Sequence, residues 1–245
     1  MSTLLLRLAA PLQAWGADSK YDVRKTQREP TKSGVVGMLA SALGQKRDEP
    51  LSNLASLRFG VRVDREGELL RDFHMVHPNG SQNAKVPYLT TRYYLSDAVF
   101  LVGLEGDESF LKTIEQALKY PAFAPYLGRR SCPPEGRICL GMRSASLLDA
   151  LRQEPWLLSA WRQSKRHAEA LRLLTDAADA SATAARQRDL PISFDQSDRR
   201  YGFRAMTEHA PVPVDRISPL LGNLTEHDPM TELGGDEDVL IPNRP

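Results

Sequence analysis

Residues 30–44, Pro-Thr-Lys-Ser-Gly-Val-Val-Gly-Met-Leu-Ala-Ser-Ala-Leu-Gly, constrain the fold more than any other stretch. Val35, Met38, Leu39, Ala42 and Leu43 recur at helical spacing, so one face is apolar and needs cover. Pro30 precedes the run, Thr31 or Ser33 offers a capping oxygen, and Gly44 can end it; the pattern predicts a helix over 31–43. Its first turn presents free backbone N–H groups beside Lys32 and Ser33, with no side chain at Gly34. An anionic oxygen, most simply a phosphate, fits such a turn. An ordinary capped helix packed on a sheet has the same pattern.

The stretch before the helix, 13–32, carries Lys20, Arg24, Lys25, Arg28 and Lys32 against Asp18, Asp22 and Glu29, with Trp15 and Tyr21 interleaved. Cations beside aromatics suit a single-stranded nucleic acid, whose phosphates take the charge while its bases stack. Gln13 and Trp15 follow an apolar strand directly and are candidates to touch an unstacked base. A solvated loop of alternating charge is the competing reading, although loops of this length usually have a function.

Such a site has to be local. The formal net charge of the 245-residue chain is only +1, and acid gathers near the end as Glu226, Asp228, Glu232, Asp236, Glu237 and Asp238. The apolar share of 41% and charged share of 26% are those of a globular protein, large enough for one domain and an appendage. Cys132 and Cys139 form neither a disulfide framework nor a CxxC pair for zinc. The start, Met-Ser-Thr-Leu-Leu-Leu-Arg, is too short an apolar run for a signal peptide, and no stretch approaches a membrane span. The expected location is the cytoplasm.

Residues 3–9 read as a buried strand. A second strand is expected at 57–64, where Phe59, Val61 and Val63 alternate with Arg58, Gly60 and Arg62. Residues 69–76 are expected to pair with it as a hairpin through Arg65-Glu66-Gly67. A polar excursion at 77–85 follows, then a long β-rich run at 90–104. An amphipathic helix is expected at 108–120 and a short strand at 137–142. This order, strand-helix-strands-helix-strand, is the α+β ferredoxin-like pattern shared by RRM domains. Beyond residue 144, helical turns are expected around Leu147–Leu151 and Trp156–Trp161, and a linker at 177–186. The run at 171–175 fits helix or strand. A small hairpin is expected between 190–194 and 201–206, and a Pro-rich tail after 210. The expected division is an RRM-like domain over 1–143 and a smaller C-terminal segment over 144–245.

Several blocks carry a family resemblance: Leu-Arg-Leu-Ala-Ala-Pro-Leu-Gln-Ala-Trp-Gly from Leu6, Pro-Thr-Lys-Ser-Gly-Val-Val-Gly from Pro30, Asp72-Phe73-His74, Arg92-Tyr93-Tyr94-Leu95-Ser96-Asp97-Ala98, and Tyr126-Leu127-Gly128-Arg129-Arg130-Ser131-Cys132-Pro133. In this order they resemble the CasD subunits of type I-E Cascade complexes, within the RAMP superfamily of CRISPR-associated proteins. Leu190-Pro191-Ile192-Ser193-Phe194 and Arg200-Tyr201 extend the likeness. The resemblance implies a non-catalytic subunit that grips the 5′ handle of the CRISPR RNA at one end of the complex. It implies an RRM-like domain with a β-hairpin thumb, which falls at about 77–92, and as partners a backbone subunit and a large PAM-reading subunit. It implies no cofactor and no membrane. Arg92, Arg129 and Arg130 join the candidate RNA contacts, since adjacent guanidiniums in a rigid turn suit phosphate clamping.

The rival is a metal-independent endoribonuclease, because a related subtype of the family cleaves precursor CRISPR RNA. His74, His77, Lys85 and Tyr88 lie close in sequence and contain the types needed for a base, a phosphate cation and a proton donor. His74 and His77 offer only two nitrogens to a metal, and the Lys-Ser-Gly order is the reverse of a Walker loop. A scaffold that touches only protein would use Trp156, Trp161 and the acidic tail.

Overall fold

The first strand, β1 (Ser2–Ala9), is apolar along its length because both of its faces are covered. Leu4, Leu6 and Leu8 point into one core, Leu5 and Ala9 into another. The structure, a computed structural model, describes residues 2–16, 22–76, 88–159, 161, 163, 170–177 and 184–214. It is a mixed α/β fold dominated by sheet.

Around β1 the sheet is antiparallel: β1 pairs with β7 (Val99–Gly106) and β8 (Cys139–Arg143), and β7 also pairs with β4 (Arg58–Arg65). Helix α1 (Lys32–Ala42) and the short α2 (Ser52–Ala55) connect β1 to β4. Helix α3 (Glu108–Lys119) connects β7 to β8. Each connection therefore passes over one intervening strand. Both long helices start as the sequence predicts: the Thr31 hydroxyl accepts from the Gly34 N–H at 3.2 Å, and the Asp107 carboxylate from the Phe110 N–H at 3.0 Å.

The expected division after residue 143 meets one continuous sheet instead. The remaining edge of β4 is taken by β9 (Ala170–Asp176), followed by β11 (Arg200–Pro213) and β10 (Ala185–Ser193), so the seven strands run β10-β11-β9-β4-β7-β1-β8. The run at 171–175 is thus strand, and the expected hairpin of 190–194 with 201–206 exists in longer form.

The alternation in β4 is real, yet most of its polar face is not solvated. Phe59, Val61 and Val63 join the core under α1 and α3. Gly60, Arg62 and Asp64 lie under α4 (Leu147–Gln153) and the segment that follows it, while Arg58 stays exposed and pairs with Glu105 at 2.7 Å. Arg62 is fully buried. Its Nε and Nη2 donate to the Asp64 carboxylate at 2.7 and 2.9 Å, and its remaining donors reach the carbonyls of Leu151, Glu154 and Pro155. Asp64 accepts the Leu157 N–H at 2.8 Å as well. One ion pair thereby fastens the end of α4 to the sheet.

The hairpin expected between β4 and β5 (Glu68–Val76) is absent. β5 pairs along its whole length with β6 (Tyr88–Ser96) and belongs to a second, four-stranded sheet with β2 (Leu12–Gln13) and β3 (Val23–Arg24). The β-rich run at 90–104 is likewise two strands, β6 and β7, parted at Asp97, whose φ is 55°. Gly67 lies across from that kink, and a Cβ on it would stand 2.6 Å from the Ser96 carbonyl oxygen. Both chains therefore bend together and leave the main sheet as one ribbon, β5–β6.

Asp64→Asn is expected to leave the Arg62 guanidinium buried without its countercharge, costing about 3–5 kcal/mol. Urea denaturation followed by circular dichroism measures it, and a loss below ~1 kcal/mol would contradict this account of the pair.

Candidate nucleic-acid interface

The first turn of α1 does not have the free groups its sequence offers. Lys32 is buried, and its Nζ lies 2.9 Å from Asp176 Oδ2. The Lys32 N–H donates to Asp189 Oδ2 at 2.8 Å. Arg204 closes the cluster with bonds to both carboxylates, 2.6 Å to Asp189 and 2.8 Å to Asp176. Where a phosphate was expected at Lys32, Ser33 and Gly34, the chain supplies its own carboxylates from β9 and β10. Gly34 serves packing: a Cβ there would lie 2.8 Å from Trp15 Cε3. Ser33 is buried too.

Gln13 and Trp15 are also fully buried and cannot present themselves to a base. Gln13 Nε2 donates to the Ala98 carbonyl at 2.8 Å, and its Oε1 accepts from Trp15 Nε1 at 3.1 Å. The Gln27 N–H donates to the Trp15 carbonyl at 2.6 Å, and the Trp15 N–H donates to the Thr26 hydroxyl at 2.8 Å, closing the loop between them. Their role is to hold that loop and its neighbour. The Ala14 N–H donates to the Leu127 carbonyl at 3.2 Å, and Gly128, at φ 81°, lies so close that a Cβ would stand 1.7 Å from Ala14 oxygen. The Gly128-Arg129-Arg130 turn is thus pressed against the segment after β1.

Other predicted residues do gather there. The Arg129 guanidinium sits 4.5 Å from the ring centroid of Tyr94, and its Nη2 donates to the Arg24 carbonyl at 2.9 Å. Arg24 on β3 is in register with Arg92 on β6. Alternation puts Arg92 and Tyr94 on the same face of β6. Burial pushes the Tyr94 phenol up, but hydrogen bonds from Arg129, Ser131 and Arg92 and the charge of Arg129 outweigh it, leaving the phenol below its usual range. Arg129 Nη1 and Arg92 Nε are buried and have no acceptor among the described residues. Buried donors without partners are rare, and an incoming phosphate is an acceptor of the right charge. Arg24, Lys25 and Arg130 are exposed around this nest. Arg28 stands apart, 4.0 Å from Glu66. Lys20 lies outside the described residues. The sequence signal for Tyr94 is its place two residues after Arg92; Asp176, Asp189 and Arg204 carry no local mark of their pairing.

The ribbon β5–β6 has two unlike faces. Leu69, Phe73, Met75 and Leu89 share one by register and are exposed. The other carries Asp72, His74, Thr90 and Arg92. His74 Nε2 is 2.7 Å from Asp72 Oδ2. The Tyr88 hydroxyl donates to the Asp22 carboxylate, and that bond raises the phenol pKa. Each of these two candidates for ribonuclease chemistry therefore has a carboxylate beside it. Lys85, His77 and most of the expected thumb at 77–92 lie outside the described residues.

The family model described as CRISPR-associated protein (Cas5) matches residues 3–207. A relative from Escherichia coli (strain K12), named CRISPR system Cascade subunit CasD, is 38% identical over 166 residues, covering 59% of this chain and 73% of the relative. A solved chain described as a Cas protein is 41% identical with a TM-score of 0.71, covering 89% of this chain and 97% of its own length. Another, from a CRISPR RNA-guided surveillance complex, is 33% identical with the same TM-score of 0.71, covering 89% of this chain and 94% of its own.

The burial of Lys32 separates two roles. Lys32→Met is expected to cost on the order of 2 kcal/mol, because Asp176 keeps Arg204 but loses one charged bond. The salt dependence of RNA binding should stay unchanged. A slope lower by about 0.7 in the folded variant would return Lys32 to the phosphate contacts.

Proposed function

This chain belongs to the Cas5 family of CRISPR-associated proteins, and we propose that it is a non-catalytic RNA-binding subunit of a Cascade complex. It grips the 5′ handle of the guide RNA and caps that end of the assembly, in the cytoplasm. The observation that carries this reading is the nest of Arg92, Arg129 and Tyr94, where two buried guanidinium nitrogens lack acceptors. A handle phosphate supplies what they lack. Arg24, Lys25 and Arg130 extend the charge along the exposed rim.

The strand order β4-β7-β1-β8 with two crossing helical connections reads as ferredoxin-like, the arrangement of RRM domains. The β5–β6 ribbon reads as the base of a thumb. Its apolar face, with Leu69, Phe73, Met75 and Leu89, suits the adjoining backbone subunit, and its polar face turns Arg92 toward RNA. The large PAM-reading subunit is the other proposed neighbour. Ribonuclease activity is the alternative reading: a carboxylate beside His74 is compatible with a general base, while the Tyr88 hydroxyl is taken up by Asp22.

The combined variant Arg24→Gln, Arg129→Gln, Arg130→Gln should bind handle RNA more weakly. Its log–log salt slope should fall by roughly 2, about 0.7 for each phosphate contact on a single strand. Unchanged affinity and slope in a folded variant would sink the proposed grip. His74→Ala and Tyr88→Phe should leave CRISPR RNA processing intact in cells that carry the other Cascade subunits. Cleavage of repeat RNA by the isolated wild-type chain, lost in either variant, would favour the ribonuclease instead.

A further inference from the structure

The outer face of β10–β11 is a second cationic surface that the handle grip does not use. β10 pairs only with β11 and forms an edge of the main sheet. Helices α1 and α2 cover one side of it. On that side lie Asp189, the only acid within β10, and Arg204, bonded to each other and to the α1 cluster. The opposite side continues the face that α4 and residues 156–158 bury over β1, β7, β4 and β9. That cover does not reach β10. By register Arg186 stands opposite Ala205, and alternation puts Phe203 on the same side. Phe203 is 65% exposed, and Arg186 and Arg188 are exposed as well.

Most of the charges there find no countercharge among the described residues. Arg186, Arg188 and Arg199 form no ion pair among the described residues. Arg188 has a single long bond, 3.5 Å, to the Tyr201 carbonyl. At the turn, Arg200 is paired with Asp198 at 3.0 Å, and the Asp195 carboxylate is held by the Ser197 N–H and hydroxyl. The exposed apolar groups are Phe203 and Ile192. One bare ring and one Ile do not make the contiguous apolar patch that a protein partner needs. A ring flanked by guanidiniums is what a single polynucleotide strand uses, one base stacked and neighbouring phosphates paired.

We infer that this face binds a single-stranded nucleic acid, with a base on Phe203 and phosphates on Arg186 and Arg188. It is separate from the handle grip. The grip is built on β3, β6 and the turn at Arg129, and β3 and β6 belong to the other sheet from the one that carries β10. Glu29, Glu66 and Glu208 gather about Arg172 on β9, so acid stands beside the route between the two surfaces. The chemistry it uses is common to both sugars, so RNA and DNA strands should bind alike.

The test uses the full chain carrying Arg24→Gln, Arg129→Gln and Arg130→Gln, which weakens the handle grip and is the parent for every comparison, so failure here is distinct from failure there. Fluorescence anisotropy with labelled 15-nucleotide oligo(U) and oligo(dT) is followed across a salt series. Adding Arg186→Gln and Arg188→Gln should lower the log–log slope by about 1.4 with both strands. Adding Phe203→Ala should weaken binding about tenfold at constant slope, and Phe203→Trp should retain it. The inference is overturned if both sets bind as their parent does in folded protein. It is also overturned if a duplex binds as well as the single strands with Phe203→Ala silent, or if polyglutamate of equal charge competes equally, since the face would then be a general anion surface.

Discussion

Asp176 and Asp189 decide how this chain closes. They meet Lys32 and Arg204 in a buried cluster, and Asp176 also accepts the Phe59 N–H at 3.0 Å. A buried charge without its partner costs several kcal/mol, so none of these four side chains can stay inside alone. Their pairing requires β9, β10 and β11 to lie beside β4 and over the start of α1. The helix dipole adds to this, because Asp189 sits at the first amide of α1. The C-terminal strands are thereby bound into the main sheet, and the helix terminus is spent on the fold.

That closure explains which parts of the sequence could be read and which could not. Local signals were reliable: α1 and α3 start at their capping Thr31 and Asp107, and the alternation in β4 reports a sheet with distinct faces. What a period cannot reveal is the cover over the polar face. Arg62 looks solvated by its alternation, and only α4, some ninety residues later in the chain, makes it a core anchor. The Lys32–Asp176 pair spans 144 residues, and nothing near Lys32 marks its partner. The second sheet was hidden for a related reason. Gly67 and Asp97 mark turns, but a turn does not say whether the next strand folds back on its neighbour or leaves with another.

The candidate site shows the same division. Guanidiniums at Arg24, Arg129 and Arg130 are legible as a group because charge clusters survive without knowledge of the fold. Gln13, Trp15 and Gly34 were legible as important but not as buried. Their chemistry, an amide, an indole and a bare Cα, serves a base and a core equally well. Burial decides between the two, and burial is a property of the assembled sheets.

The buried residues still act on the proposed RNA surface, through position. Gly34 lets the Trp15 ring lie on α1, and Trp15 Nε1 fixes the Gln13 amide, which in turn bonds Ala98 at the start of β7. Ala14 lies between Gln13 and Trp15, and its backbone accepts the close approach of Gly128. Arg129 follows immediately, over Tyr94 and bonded to Arg24. The guanidinium nest is therefore built on α1 and β7, two of the best-packed elements, although its residues come from β3, β6 and a turn. Preorganisation of this kind reduces the entropy lost when a phosphate is bound. It also gives a physical reason why the blocks around Trp15, Gly34, Tyr94 and Arg129 occur together in one chain: each sets the geometry of the next.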